Sequence, residues 1–328
     1  MKRRIHPLWW PIFILGSPIL LPYLIFKNES YNLCIRKIDK INGKRLEKAK
    51  NLKLPEVENF KLIPVIEAES KDNFEKEAGI SYFIETENSN LLFDIAFADE
   101  SFAFTNNYQK LNLTEKNIQK FVLSHLHPDH MGGIKASRKN KITIPKIINN
   151  NNITAFLPDA ASVIGGKRKI AYSPQYITED IATTGPLRAN LFFSGPTEEQ
   201  SLIINIKNKG IAVVVGCGHP DLNVIIKMAK RLTGKKIYAV IGGLHLPVKS
   251  GRFKKAGFDL QRIIGTGRQP WNCLDDSYLD EKISILKKYE VEKILISPHD
   301  SSDYAVKYFK NNLNAEVDIL KSGEQYNL

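Results

Sequence analysis

The stretch FVLSHLHPDHMGG, residues 121–133, decides the fold of this chain. An apolar run typical of a strand end leads into His125, His127, Asp129 and His130. Residues two apart on an extended strand point to the same side, so His125 and His127 can bind one metal ion. The turn at Pro128 then brings Asp129 and His130 round to a second ion. Imidazole and carboxylate ligands suit zinc, with iron or manganese as alternatives, and two such ions are typical of a hydrolytic site.

Three further histidines each follow a predicted strand. His219 comes after IAVVVGCG, His245 after YAVIGGL and His299 after ILISP. Ligands at successive strand ends converge on one edge of a layered fold. We therefore predict His219 and His299 as metal ligands, and His245 as a metal or substrate ligand. Cys217, two residues before His219, is interpreted as a small packed side chain.

The chain from about residue 59 onward alternates predicted strands and helices. Early strands are NFKLIPVIEAES, GISYFIETE and LLFDIAF, and SLIINIKNKGIAVVVG is a predicted hairpin that turns at Asn208-Lys209-Gly210. LNVIIKMAKRLTG is a predicted helix that ends at Gly234, and KIYAVIGG, KILIS and EVDIL are later strands separated by helices. Hairpins followed by strand–helix alternation predict an α/β (α+β) fold in which helices cover sheets.

The N-terminus has the pattern of a membrane anchor. After Met1-Lys2-Arg3-Arg4, residues 5–26 contain no Asp, Glu, Lys or Arg, and about 20 apolar residues suffice to cross a bilayer. We predict a membrane anchor over 1–27, a basic linker over 28–58 and a catalytic domain over 59–328. Within the linker, RLEKAKNLK could instead form a short surface helix. The chain is then membrane-associated through a single N-terminal span. A cleaved signal peptide is one alternative, although no small-x-small cleavage site follows the apolar run, and a buried or surface hairpin is the other.

The net charge separates these regions. The 328 residues include 47 Lys and Arg against 35 Asp and Glu, a net charge of +12. Residues 1–58 hold 12 of the cations and only five of the acids, so the basic character belongs to the lipid-facing end. The remaining body is mildly basic, which argues against nucleic acid as a partner. A hydrophobic content of 43% excludes a disordered chain, and three cysteines exclude a disulfide scaffold.

The HxHxDH pattern, preceded by a strand and followed by Gly-Gly, resembles the signature of the metallo-β-lactamase superfamily, whose fold is a four-layer αββα sandwich. Further elements resemble the dihydropterin-ribofuranosylaminobenzene phosphate synthase-like branch: LLFDIAF, Thr184-Gly185, VGCGHPDLN and VIGGLHL. This similarity covers about residues 60–328. The chain departs from the branch at Ile95-Ala96, where Thr-Gly is usual, and at His299-Asp300-Ser301-Ser302, where His-Cys-Thr-Gly is usual.

The resemblance implies a role for each matching residue. His125 and His127 would bind the first metal, and Asp129 and His130 the second, with His219 and His299 completing the two sites. Asp94 would support the metal-binding loop from behind. The superfamily usually has an aspartate that bridges the metals. Asp221 is one candidate for this aspartate in the present chain. The other possibility is that a histidine occupies the bridging position.

The metal chemistry then predicts a reaction. Two cations lower the pKa of a bound water, and the resulting hydroxide attacks a carbonyl or phosphoryl centre. Asp129 and His219 are the predicted catalytic residues, and Arg188 or the pair Lys167-Arg168 would contact a substrate phosphate. The leading hypothesis is a membrane-tethered dinuclear hydrolase of a small phosphorylated or ester substrate. Alternatives are a synthase-like transferase, a phospholipid hydrolase, a nuclease resembling ribonuclease Z, and a non-catalytic metal-binding sensor.

Overall fold

Two large β-sheets face each other in the computed structural model, which describes residues 3–148 and 152–328. One sheet has the strand order β21-β2-β3-β4-β5-β7-β9, and the other has the order β10-β11-β14-β15-β16-β19-β20, with β1 paired to β14.

The strands, in chain order, are β1 (Glu56–Val57), β2 (Phe60–Ile66), β3 (Ser81–Thr86), β4 (Asn90–Phe93), β5 (Lys120–Val122), β6 (Lys141–Thr143), β7 (Thr154–Leu157), β8 (Ser162–Ile164), β9 (Lys167–Ile170), β10 (Gln175–Tyr176), β11 (Ile181–Thr183), β12 (Leu187–Leu191), β13 (Gly195–Glu199), β14 (Leu202–Ile206), β15 (Gly210–Val215), β16 (Ile237–Gly242), β17 (Lys254–Lys255), β18 (Phe258–Asp259), β19 (Lys293–Ile296), β20 (Glu316–Ile319) and β21 (Tyr326–Asn327). The helices are α1 (Trp10–Lys48), α2 (Ala103–Lys110), α3 (Pro128–Met131), α4 (Ile134–Lys139), α5 (Leu222–Thr233), α6 (Leu260–Ile263), α7 (Asp276–Lys288) and α8 (Asp303–Asn312).

Three hydrophobic layers hold these elements together. Apolar side chains of both sheets meet in a central core that includes Tyr82, Phe93 and Val214. The outer face of one sheet packs against α5, α7 and α8, and the outer face of the other packs against α2 and the segment 131–148. Because both faces of each sheet are covered, central strands such as β14 are buried along their whole length. The predicted αββα sandwich is confirmed.

Strand direction decides where the site forms. β15, β16 and β19 are parallel neighbours, so their carboxyl ends lie at one edge of the sheet. In the other sheet, β4 and β5 are also parallel. The segments that follow these five strands carry Asp94, the HxHxDH loop, the GCGH loop and the loops that contain His245 and His299. Parallel pairing therefore gathers chain segments that are far apart in the sequence.

The N-terminal helix α1 has 39 residues and continues through two prolines, Pro18 and Pro22. Proline at position 18 removes the amide that would bond to the carbonyl of Ile14. The Ser17 hydroxyl donates to that carbonyl instead, at 2.7 Å. By length and composition, the apolar part of this helix suffices to cross a membrane.

The structure differs from the linker expected over residues 28–58. Helix α1 runs through the expected boundary at residue 28 without interruption, and its later turns pack on the domain, where Ile38 and Asn42 are buried. Strand β1 pairs with β14 inside the large sheet. Most of the basic residues here lie on the exposed side of a packed helix, whereas Arg45 pairs with Glu198 of the domain. The charge pattern that indicated a linker is therefore mainly that of a solvated helix face.

Candidate metal centre

One cluster of imidazoles forms where the HxHxDH loop meets the GCGH loop. His125 Nε2 lies 2.9 Å from His127 Nδ1, and His219 Nε2 lies 3.1 Å and 3.0 Å from these two atoms. The predicted first-metal ligands thus converge on one point, although residue 219 is far from the other two in the sequence.

A second cluster surrounds the sulfur of Cys217. His130 Nε2 and His299 Nε2 each lie 3.1 Å from Cys217 Sγ, and Asp129 Oδ2 is 3.5 Å from His130 Nε2. The same sulfur lies within 4.8 Å of ligand atoms of His125 and His219. Cys217 therefore stands between the two clusters, where the superfamily usually has an aspartate.

Sequence reasoning did not select Cys217 as a candidate ligand, and the structure places its buried sulfur among the ring nitrogens of the predicted metal ligands. A signal was present, because Cys217 and His219 are two residues apart at a strand end, as His125 and His127 are. Asp221, the candidate for the bridging position, lies elsewhere. Its carboxylate accepts the Asn223 amide at the start of α5 and pairs with Lys282.

Buried hydrogen bonds fix which ring nitrogen is free in two of the histidines. Asp94 Oδ2 lies 2.7 Å from His130 Nδ1, so that nitrogen carries the proton and His130 Nε2 presents its lone pair. Ser124 Oγ donates to Asp94 Oδ2 at 2.6 Å and therefore accepts from His125 Nδ1 at 2.9 Å. Asp94 thus orients both rings from behind, as partners of metal-binding histidines do.

A third ring, that of His299, is oriented by a hydrogen-bonded chain that ends at the buried carboxyl of Glu67. Ser297 Oγ donates to Glu67 and lies 2.5 Å from His299 Nδ1, so His299 also turns Nε2 toward Cys217. Burial raises the pKa of Glu67 to about 8, against the hydrogen bonds from Ser297 and Tyr82. Nothing in the local sequence singles out Glu67, because its partners Tyr82 and Ser297 are distant in the sequence.

The GCGH loop is held by the carboxylate of Glu199. Its Oε1 accepts the amides of Cys217 and Gly218 at 3.0 Å and 2.8 Å, and its Oε2 accepts the amide of His219 at 2.8 Å. Gly242 is needed beside this loop, because its φ is +114° and a Cβ there would collide with the carbonyl oxygen of Val215. The loop geometry is thus imposed from outside the loop.

The donor set fits divalent cations. Burial holds the pKa of His125 and of His219 well below the usual range and lowers that of His127 to about 4, so the three rings are neutral. A neutral imidazole carries one N–H, and the proton of His125 is already on Nδ1. Three ring nitrogens at 2.9–3.1 Å cannot all be paired by hydrogen bonds. A bound cation would stabilise ring nitrogens whose lone pairs point at one another in this way.

The remaining predicted residues lie around this centre. His245 packs 4.6 Å from the His219 ring, centroid to centroid, and its Nδ1 lies 3.2 Å from the Cys217 carbonyl oxygen and 3.3 Å from Asp300 Oδ2. Arg188 lines a cleft that reaches His219. Lys167 and Arg168 lie on the exposed strand β9, so the structure does not bring them to the clefts described next.

Two clefts flank the centre. We name the first, of about 210 Å³, the cationic cleft; it extends from His219 and His245 past Arg188, Arg268 and Lys282 to the inner side of α1. The second, of about 390 Å³, is the apolar cleft. It begins at Asp129 and His299 and is lined by Phe97, Ile134, Phe253, Leu260 and Ile264. The centre is therefore open to a polar group on one side and to an apolar group on the other.

Comparison with known proteins agrees with this geometry. The family model of the metallo-beta-lactamase superfamily matches residues 77–227. The chain is 25% identical over 316 residues to the 7,8-dihydropterin-6-methyl-4-(beta-D-ribofuranosyl)-aminobenzene-5'-phosphate synthase of Methanocaldococcus jannaschii, with 83% of this chain and 98% of that protein covered.

Two solved structures share the fold. Tm1679, described as a metal-dependent hydrolase of the beta-lactamase superfamily, superposes with a TM-score of 0.58 at 18% identity, covering 82% of this chain and 99% of that one. YhfI from Bacillus subtilis, described as a metallo-beta-lactamase fold protein, gives 0.51 at 16% identity, with 83% and 100% covered. The chain thus shares the metallo-β-lactamase fold, matches the superfamily's model over residues 77–227, and is similar in sequence to the archaeal synthase.

Proposed function

We propose that this chain is a membrane-attached, dinuclear metal-dependent hydrolase that acts on a small phosphorylated or ester substrate. One observation carries the proposal: two clusters of ligand atoms share the sulfur of Cys217. His125, His127 and His219 would hold one ion, Asp129, His130 and His299 the other, and Cys217 would contact both. Zinc suits this mixture of imidazole, thiolate and carboxylate, with iron or manganese as alternatives.

Bound divalent ions would supply Lewis acidity and a water of lowered pKa. The chain's own residues then bind and orient the substrate. Arg268, whose guanidinium lies 4.5 Å from the Tyr278 ring, supplies positive charge for a phosphate in the cationic cleft, and Arg188, which is paired with Glu198, lines the same cleft. Asp129 Oδ2 lies 3.5 Å from His130 Nε2, where its carboxylate would bind the second ion beside that ring.

His245 is placed to transfer a proton. Both neighbours of its Nδ1, the Cys217 carbonyl and the Asp300 carboxylate, only accept hydrogen bonds, so Nδ1 carries a proton. Nε2 is the atom left to exchange a proton with a substrate in the cationic cleft. Although burial lowers the pKa of His245, the hydrogen bond and charge of Asp300 raise it overall. We propose His245 as the donor to the leaving group.

A transferase of the synthase type is the second candidate. The similarity to a curated synthase over 83% of the chain favours it. The same two ligand clusters would serve a reaction in which a second substrate replaces water as the nucleophile. The candidates separate by product: a hydrolase releases an acid or a phosphate from one substrate, and a transferase joins two substrates.

Metal analysis of the purified full-length chain tests the proposal. We expect about two ions per wild-type chain, fewer in Asp129→Ala and Cys217→Ala, and an unchanged content in Asp221→Ala, the matched control. A wild-type content below about one ion per chain would refute the dinuclear site. Assays with phosphodiester, lactone, thioester and pterin substrates would then assign the reaction. Recovery of the full chain in the membrane fraction, lost when residues 5–26 are removed, tests the attachment.

A further inference from the structure

The catalytic domain contacts the start of the apolar N-terminal segment, residues 5–26. The His6 amide donates to the Gly257 carbonyl, and the Asp259 amide donates to the Arg4 carbonyl, both at 2.8 Å. Trp9 Nε1 donates to the carbonyl of Ala256 at 2.9 Å, and the Trp9 ring lies 4.8 Å from that of Phe258. The β17–β18 hairpin therefore binds the start of the segment.

The same domain holds the segment where its apolar part ends. Gln269 Nε2 lies 3.3 Å from Asn28 Oδ1 and 3.4 Å from Asn32 Oδ1. Tyr31 packs 5.6 Å from the Phe192 ring. Residues 256–269, which include the β17–β18 turn and α6, therefore reach both ends of the apolar run.

A helix that crosses the bilayer conflicts with these contacts. Trp9 and Asn28 are separated by about 28 Å of helix, which is close to the hydrocarbon thickness of about 30 Å. In a crossing orientation, Ala256 and Gln269 would lie at opposite membrane faces. The chain between them, which carries Asp259, Arg262 and Arg268, would have to pass through hydrocarbon. Strand edges and charged side chains are not tolerated in contact with hydrocarbon.

The outward side of the segment is apolar throughout. Leu15 is 82% exposed, Ile19 79% and Phe26 73%, and no charged residue occurs between 5 and 26. Exposed lysines flank it on the β17–β18 hairpin, at Lys254 and Lys255. A continuous apolar surface beside exposed cations matches the headgroup boundary of an anionic bilayer.

We infer that the apolar part of α1 lies in the plane of an anionic bilayer surface and does not cross the membrane. It lies between the lipid and residues 252–269, which are called the 252–269 loop. This inference rests on the membrane attachment proposed above. The loop also supplies Phe253, Leu260 and Ile264 to the apolar cleft. The apolar side of the metal centre is therefore placed at the lipid surface, where the apolar part of a membrane-borne substrate can enter.

Depth measurements on the full-length chain in membranes test the orientation. Ile12, Ile19 and Phe26 are spaced by seven residues and so face the same side of the helix. Each is replaced in turn by cysteine and spin-labelled, in a Cys34→Ser, Cys273→Ser background that keeps the buried Cys217. For a helix in the plane we expect equal depths at the three positions. A label at position 19 that lies about 10 Å deeper than the other two would overturn the inference.

Labelling from the two sides of the membrane gives a second readout. Arg3→Cys and the control Lys50→Cys, both at exposed positions, are treated with an impermeant maleimide in right-side-out and inside-out vesicles from expressing cells. We expect both to react in the same vesicle orientation, whereas reaction in opposite orientations would show a crossing helix. A full-length chain found only in the soluble fraction would refute the membrane attachment as well as this inference.

Discussion

The carboxylate of Glu199 offers the sharpest test of how the metal centre is built. It accepts three consecutive amides, from Cys217, Gly218 and His219, at 2.8–3.0 Å. In Glu199→Gln, one oxygen remains as an acceptor and the other position becomes an amide donor. The better orientation of glutamine keeps the two bonds to Oε1 and leaves the His219 amide facing another donor.

The magnitude follows from these bonds. A hydrogen bond to a charged group contributes about 1.5–3 kcal/mol, and a neutral one about 1 kcal/mol. Losing one charged bond costs about 2 kcal/mol, and neutralising the acceptor of the other two costs about 1 kcal/mol each. The substitution also removes a buried charge, whose desolvation raises the pKa of Glu199. Removing this charge offsets about 2 kcal/mol of the cost. A net cost of about 2 kcal/mol that falls on the metal-bound state corresponds to about a 30-fold loss in metal affinity.

Competition with a chromogenic chelator measures that affinity, and thermal unfolding with and without metal locates the loss. We expect the substitution to lower the melting temperature of the metal-loaded protein more than that of the stripped protein. Glu198→Gln is the matched control, because Glu198 pairs with Arg45 and Arg188 and does not touch the loop. The reasoning is refuted if Glu199→Gln leaves the affinity within about threefold, or if Glu198→Gln lowers it equally.

Three further predictions concern the surroundings of the centre. Asp94→Asn removes an acceptor that fixes the His130 tautomer, and metal analysis after dialysis should show about 10–100-fold weaker binding at the second site; retention of both ions would contradict this. Arg268→Ala should raise KM for a phosphorylated substrate about tenfold, with kcat and the KM of an unphosphorylated analogue little changed; equal effects on both substrates would exclude phosphate binding. Glu67 keeps its proton in the folded, metal-free protein up to pH about 8, whereas the unfolded chain releases it near 4.5. Stability in denaturant titrations should therefore fall as pH rises between these values, by at most about 1.4 kcal/mol per unit, and Glu67→Gln should flatten this dependence.

The elements that lead into the site were predictable from local pattern. The alternation in β2 and β3, the apolar runs of β15 and β16, and the amphipathic helix α5 all agree with the observed bounds. Most of the short strands between β6 and β13 were not predicted. Their two to five residues carry too little periodicity, and their pairing is decided by neighbours that are distant in the sequence.

The sequence by itself determined the αββα fold and which histidines are candidate metal ligands, because spacing at a strand end decides which side chains point to the same side. Tertiary structure decided the rest of the site. It brought Cys217 between the two clusters and placed Glu67, Asp94 and Glu199 behind them, through contacts that join strands of both sheets. It also made the residues expected to form a linker part of a packed helix. In addition, it placed both ends of the apolar segment in contact with residues 256–269. The local sequence pattern shows which face of an element is apolar, and only tertiary packing determines which other elements that face contacts.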